Sequence, residues 1–180
     1  KAQEDLTAGH NYFLCVAPIK RFTAILKEFS IFKKWQQTTM HLVFVFDHPK
    51  DKEAALLQLK GYKFKQDINI VCTHDICMEW LAATYAILYE GVTFTKSNWI
   101  LYAIEYEVPI LFDAAMNLPE AWLQAGEVFS FTEEQALSNH FKLYYKDEIY
   151  RQSRARMGTE WLLKLKEERS PFSMLDITPI

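Results

Sequence analysis

Glycine is scarce in this chain of 180 residues, with five at positions 9, 61, 91, 126 and 158, against an average usage near 7%. Phosphate cradles are commonly glycine-rich because backbone N–H groups must approach the anion closely, so a heavily glycine-built phosphate loop is not expected. Long apolar runs are missing as well, and none approaches the roughly 18 residues that suggest a membrane span. Charge of one sign does not dominate: the formal net charge is −3 and the acids and bases are interspersed, which leaves no field that selects nucleic acid. Cysteine is limited to Cys15, Cys72 and Cys77. Three cannot all pair, and Cys15 and Cys72 lie in apolar strand runs where a reduced thiol packs as a small hydrophobe, so a reducing, cytoplasmic compartment is expected. Cys72, His74 and Cys77 are spaced loosely like ligands, but a structural zinc site wants four and no fourth candidate is nearby, so neither metal nor cofactor is expected. The chain starts at Lys1 without a charged-then-apolar signal region, as expected of a processed chain or an excised piece.

Hydrophobic residues, by contrast, make up 50% of the chain, enough for one domain that buries about two thirds of its unfolded surface. Short continuous apolar runs recur at Tyr12 to Val16, Leu42 to Phe46, Ile68 to Val71, Tyr85 to Leu88, Val108 to Phe112 and Val128 to Phe131. Such runs fit strands covered on both faces. Helical patterns alternate with them. Phe22, Ile25, Leu26, Phe29 and Phe32 form an apolar stripe, with Lys27 to Lys34 (KEFSIFKK) supplying a polar side that is expected to be solvated or to touch a membrane surface. Further helices are expected at Asp51 to Lys60, at Ile76 to Thr84 capped by Asp75, at Asn98 to Tyr106 capped by Ser97, and at Pro119 to Gln124. Thr132 with Gln135 reads as a capping box opening a helix from Glu133 to Tyr144, and Asp147 opens another through Leu163 with a break at Gly158. This alternation implies an α/β, doubly wound (Rossmann-like) six-stranded parallel sheet over residues 1–169, with 170–180 as an extended tail.

In a doubly wound sheet of order 3-2-1-4-5-6, the crevice lies outside the carboxyl ends of the first and fourth strands. Those ends lead into Ala17 to Phe22, which contains Lys20 and Arg21, and Tyr89 to Ser97. His–Asp neighbours at Asp47-His48 and His74-Asp75 read as turn and capping residues, since neighbours in sequence seldom face one another.

The stretch from Tyr85 to Leu111, YAILYEGVTFTKSNWILYAIEYEVPIL, resembles the donor-site segment of retaining group 1 (family 4) glycosyltransferases, whose usual text is close to YAxLYPSxFEGFGxPxLEAMxxxVPIL. Asn11 to Phe32, His41 to Val45, Leu118-Pro119-Glu120 through Phe131, and Lys146-Asp147-Glu148 with Arg151 are similar to further segments of the same family, in the same order. The resemblance implies the C-terminal, donor-binding half of a GT-B glycosyltransferase. Its ligand would be a nucleotide-diphosphate sugar, and the acceptor, a glycan or lipid-linked molecule, would be held by an N-terminal domain that this chain lacks.

The carry-over is incomplete. In the ungapped frame Phe94 and Tyr102 stand where the family has the two glutamates of its E-x7-E signature, so no catalytic residue is implied. Glu90-Gly91 also looks like the start of that signature, but choosing it leaves four extra residues before Val108-Pro109. Lys20 falls on the family's diphosphate-binding lysine, Arg21 falls on its asparagine, and the family's arginine has no counterpart. Thr95 and Ser97 replace glycines of the donor loop. Lys20, Arg21, Thr95, Ser97, Asn98 and Tyr102 are therefore the expected substrate-binding residues. Phe46 replaces a strand-ending glycine and is expected to crowd the same edge. The expected function is glycosyltransferase-like binding of a nucleotide sugar, with a non-catalytic interaction or scaffold domain as the alternative. A regulator-type doubly wound module would need an acidic cluster at the strand ends, where only Asp47 and Asp113 lie.

Overall fold

The computed structural model describes residues 2–73, 78–90, 98–116 and 119–167. Six strands form one parallel sheet: β1 (Tyr12–Val16), β2 (His41–Phe46), β3 (Ile68–Cys72), β4 (Ile87–Tyr89), β5 (Ile110–Asp113) and β6 (Glu127–Phe129). Their order is β3-β2-β1-β4-β5-β6, the doubly wound order in which β1 and β4 are neighbours at the reversal. Tyr12 pairs with His41 on one side of β1, and Leu14 pairs with Ile87 on the other. All five residues of β1 are buried, which is why the strand reads as an unbroken apolar run.

Side chains alternate between two cores. Phe13 and Cys15 face α2 (Phe22–Gln36) and α7 (Ala136–Lys146), where Phe22, Phe29, Phe32 and Phe141 complete an aromatic-rich layer. Phe13 stacks on Phe141 with ring centroids 4.4 Å apart, a geometry that adds to the area buried. Tyr12, Leu14 and Val16 face the opposite side, where α5 (Asn98–Glu105) and α8 (Glu148–Glu167) contribute Trp99, Ile100, Ile104 and Trp161. Shorter helices α1 (Ala2–Thr7), α3 (Pro49–Leu59), α4 (Met78–Ala83) and α6 (Glu120–Leu123) complete the two layers. No described helix is long and apolar enough to cross a membrane.

Four local expectations are corrected. Helix α1 is not signalled by the sequence, because among its described side chains only Leu6 and Thr7 are buried and it shows no helical apolar period. The helix expected from Glu133 begins instead at Ala136, after Gln135 adopts the left-handed region at φ 60°. The Thr132 hydroxyl is taken by Ser130 at 2.7 Å, and the N-terminus of α7 is capped from another element: Glu28 of α2 accepts the Ser138 amide at 2.9 Å and its hydroxyl. Helix α8 runs through Gly158 without a break, because that glycine packs against Ile104 of α5. Lys33 is not solvated but buried: its ammonium donates to the Met40 carbonyl at 3.1 Å and to that of Thr38, and pairs with Asp67 at 2.9 Å. Asp147 caps α8 as expected, accepting the Tyr150 amide at 2.8 Å. The expected caps Asp75 and Ser97, and the tail from Ser170, lie outside the described residues.

Candidate functional site

The reversal between β1 and β4 sets the site. Beyond Val16 the chain turns through Ala17 and Pro18 into a single 3-10 turn, Ile19–Arg21, which runs directly into α2 with Arg21 at its N-cap position. Opposite, the Glu90 amide donates to the Val16 carbonyl at 2.8 Å, extending the β1–β4 ladder by one residue. That bond places the Glu90 side chain across from the loop after β1. On the next strand, Asp113 ends β5.

These three strand ends converge on one guanidinium. Arg21 Nε donates to both carboxylate oxygens of Glu90, at 3.0 and 2.9 Å, and Arg21 Nη2 lies 2.6 Å from Asp113 Oδ2. The other Asp113 oxygen accepts the Ala115 amide at 3.1 Å, so the aspartate is held from both sides. Phe131, two residues past β6, lies under the guanidinium with its ring centroid 4.8 Å from Arg21 Cζ. The carboxylates are enclosed, Glu90 at 8% and Asp113 at 1% exposure, while the Arg21 side chain keeps 24%. Burial is the largest influence on Glu90 and raises its pKa above the usual carboxylate value. Asp113 adds to the rise, and Arg21 and Lys20 oppose it. Among the described residues, a guanidinium flanked by two carboxylates thus stands where the strand ends meet, and burial biases one of those acids, Glu90, toward its neutral form.

The expected binding residues are placed unequally. Lys20 is exposed at the start of the crevice loop, next to Arg21. Arg21 reaches the crevice but is held by Glu90 and Asp113. Tyr102 lies on α5, half-buried against the apolar cluster that fills this face of the sheet. Asn98 opens α5. Phe94, Thr95 and Ser97 lie outside the described residues. Phe46 does end β2, but it stacks parallel to Phe44 at 6.0 Å and meets Phe22 at 6.1 Å, so its bulk belongs to the core beneath α2.

Two residues that organise the site, Glu90 and Asp113, were not among the expected binding groups. The available signal was positional: each carboxylate closes an apolar strand run, YAILYE and PILFD, at the carboxyl end where a doubly wound sheet places its ligands. Elsewhere the chain offers less. Cys15 is fully buried and its thiol pKa is pushed up by that burial, which makes it inert as a nucleophile. Among the described residues no group of three or more His, Cys, Asp or Glu side chains could hold a metal ion. His74 and Cys77 lie outside them.

No family profile matches the sequence, and no curated protein matches it. Solved structures do. WaaG, a glycosyltransferase involved in lipopolysaccharide biosynthesis, superposes with a TM-score of 0.67 at 16% identity over 99% of this chain and 50% of its own length. The C-terminal domain of a group 1 family glycosyl transferase, LpcC from Francisella tularensis, gives 0.67 at 14% identity, covering 90% of this chain and 88% of that domain. A UDP-N-acetylglucosamine 2-epimerase, so described provisionally, from Listeria monocytogenes gives 0.63 at 14% identity over 94% of this chain and 48% of its own. The fold is therefore that of the C-terminal half of GT-B glycosyltransferases, and the group 1 resemblance is consistent with these matches. The chain spans about half the length of WaaG.

Proposed function

We infer that this chain is the nucleotide-sugar half of a glycosyltransferase-like protein, with the donor's diphosphate directed to the β1–β4 crevice and the acceptor held by an N-terminal domain outside this sequence. The observation that carries the reading is a cation, Arg21, standing at the meeting point of the β1, β4 and β5 ends, where an α/β sheet of this order receives its ligand. Lys20 beside it would add charge, and Thr95, Ser97 and Asn98, in the segment that leads into α5 in sequence, would add hydrogen bonds to the phosphates. Tyr102 would border the nucleoside. The solved structures of similar fold include a glycosyltransferase and an epimerase named for a UDP-sugar, so they support the ligand class more than the reaction.

Donor affinity is expected to be weak. With Phe94 and Tyr102 in the positions of the signature glutamates, no carboxylate is left in those positions to accept the ribose hydroxyls. Losing one such acceptor lowers affinity about tenfold to a hundredfold. The non-catalytic reading, a domain that serves a partner protein, is favoured by the way Glu90 and Asp113 already satisfy Arg21. Calorimetric titration with uridine, guanosine and adenosine diphosphate sugars separates the two readings. Measurable binding that is weakened by Lys20→Ala supports the nucleotide-sugar reading, and a flat response across the panel supports the interaction domain.

A further inference from the structure

The crevice carries its own anions, and this decides what else can bind there. We propose that Glu90 and Asp113 act as a built-in occupant of the crevice cation, so that an incoming phosphoryl or sulfate group binds only by displacing a carboxylate from Arg21. The inference rests on the reading of this crevice as a phosphate site, and it specifies how that site is regulated.

Three features of the geometry support it. First, Arg21 is preorganised: Glu90 fixes its Nε through two hydrogen bonds, Asp113 forms an ion pair with its Nη2, and Phe131 lies under the guanidinium. A planar fork held this way presents the donor pattern that suits a tetrahedral oxyanion. Second, accessibility is unequal, because the carboxylates are enclosed and the Arg21 side chain retains 24% exposure. A ligand therefore meets the cation before it meets the acids. Third, two carboxylates face one guanidinium within 3.0 Å, so among the described residues the acids outnumber the cation unless one acid is protonated or Lys20 contributes. Displacing an ionised carboxylate into its own enclosed surroundings is costly, and displacing a neutral one is not.

The exchange is consequently coupled to protons. Among the described residues, the charged groups that face Glu90 are Arg21 and Lys20 from the loop after β1 and Asp113 from the end of β5, while the segment after β6 supplies the neutral Phe131 ring. Burial and Asp113 both favour the protonated form of Glu90. Lowering the pH releases Arg21 to an external anion, and raising it returns Arg21 to Glu90.

Sulfate is the probe, because its charge stays constant from neutral to mildly acidic pH. It is titrated calorimetrically into the full chain at fixed ionic strength. Glu90→Gln and Asp113→Asn are each expected to tighten sulfate binding about tenfold or more, the equivalent of one charge-assisted bond no longer competed for. The double substitution Arg21→Gln with Glu90→Gln is expected to lose that gain. The wild-type chain is expected to bind sulfate more tightly at about pH 5 than at about pH 7.5, with a smaller difference in Glu90→Gln.

Unchanged affinity in both carboxamide variants overturns the proposal, as does a gain that survives loss of Arg21. Should one carboxamide variant fail to fold, the other decides alone, and unchanged sulfate affinity in it overturns the proposal. Tighter sulfate binding without nucleotide-sugar binding in any variant sustains this exchange and removes the donor reading. Nucleotide-sugar binding that is indifferent to Glu90→Gln and Asp113→Asn does the reverse.

Discussion

Gly158 of α8 lies so close to Ile104 of α5 that a Cβ added to the glycine would come 2.6 Å from Ile104 Cγ1. The contact lets two helices on the same face of the sheet approach closely. Glycine inside a helix costs about 1 kcal/mol relative to alanine, so its presence at the centre of a 20-residue helix reflects packing rather than propensity.

Gly158→Ala is therefore expected to destabilise the chain by about 1 to 3 kcal/mol, as overpacking outweighs the gain in helix propensity. Denaturant unfolding of the single variant, and of the pair with Ile104→Ala, checks this. The pair should recover part of the loss if the clash is the cause. Gly126→Ala is expected to cost more, because its added Cβ meets the backbone carbonyl of Ile110 in β5.

Lys33 and Lys27 lie on the same helix and look alike in sequence, yet only Lys33 is buried. Lys33→Ala is expected to cost about 3 kcal/mol, since it strands Asp67 and two backbone carbonyls. Lys27→Ala is expected to stay within about 0.5 kcal/mol. Paired urea melts distinguish them.

Glu127 opens β6 and receives the hydroxyls of Tyr144 at 2.5 Å and Tyr150 at 2.6 Å, with His140 Nδ1 at 3.5 Å. Burial, the largest single influence, raises its pKa. The nearby His140 imidazole and the hydrogen bonds from the Tyr144 and Tyr150 hydroxyls together outweigh that and hold it down to about 2, from an ordinary 4.5. A folded pKa below the unfolded one contributes stability that is present above the unfolded value and lost as pH falls through the folded value. Acid unfolding should show this loss between about pH 5 and pH 2, and Glu127→Gln should flatten that part of the profile while lowering stability by about 2 kcal/mol near neutrality.

Arg21→Ala leaves two enclosed carboxylates facing each other and is expected to destabilise the chain by about 3 kcal/mol. Lys20→Ala, one residue away and exposed, is expected to leave the melting temperature nearly unchanged. Thermal unfolding of both at neutral pH provides the check. Equal effects would mean that Arg21 is no more structural than its neighbour.

What could be seen in the sequence follows from how each interaction is encoded. Strands covered on both faces write themselves as apolar runs, and β1 and β2 were bounded to within a residue for that reason. The stripe Phe22, Ile25, Leu26, Phe29 and Phe32 located α2 equally well. Interactions between distant residues left no local trace. Glu28 caps a helix that begins more than a hundred positions later, and a local reading assigned that start to Thr132 instead. The same holds at the crevice. Lys20 and Arg21 could be placed by topology, but that Arg21 is bound to a residue 69 positions away depends on the β1–β4 adjacency and on where each strand stops.

The position of β1 between β2 and β4 also sets an order of assembly. Its first partner arrives soon after it in the chain, whereas its second, β4, follows about seventy residues later. Parallel pairings across such separations form slowly. While the chain is being made, β1, β2 and β3 with their helices can associate first, leaving one edge of β1 with unpaired N–H and C=O groups. An open, wholly apolar edge is a template for another chain. The vulnerable species during synthesis is therefore this half-sheet, and pairing with β4 is the step that ends its exposure.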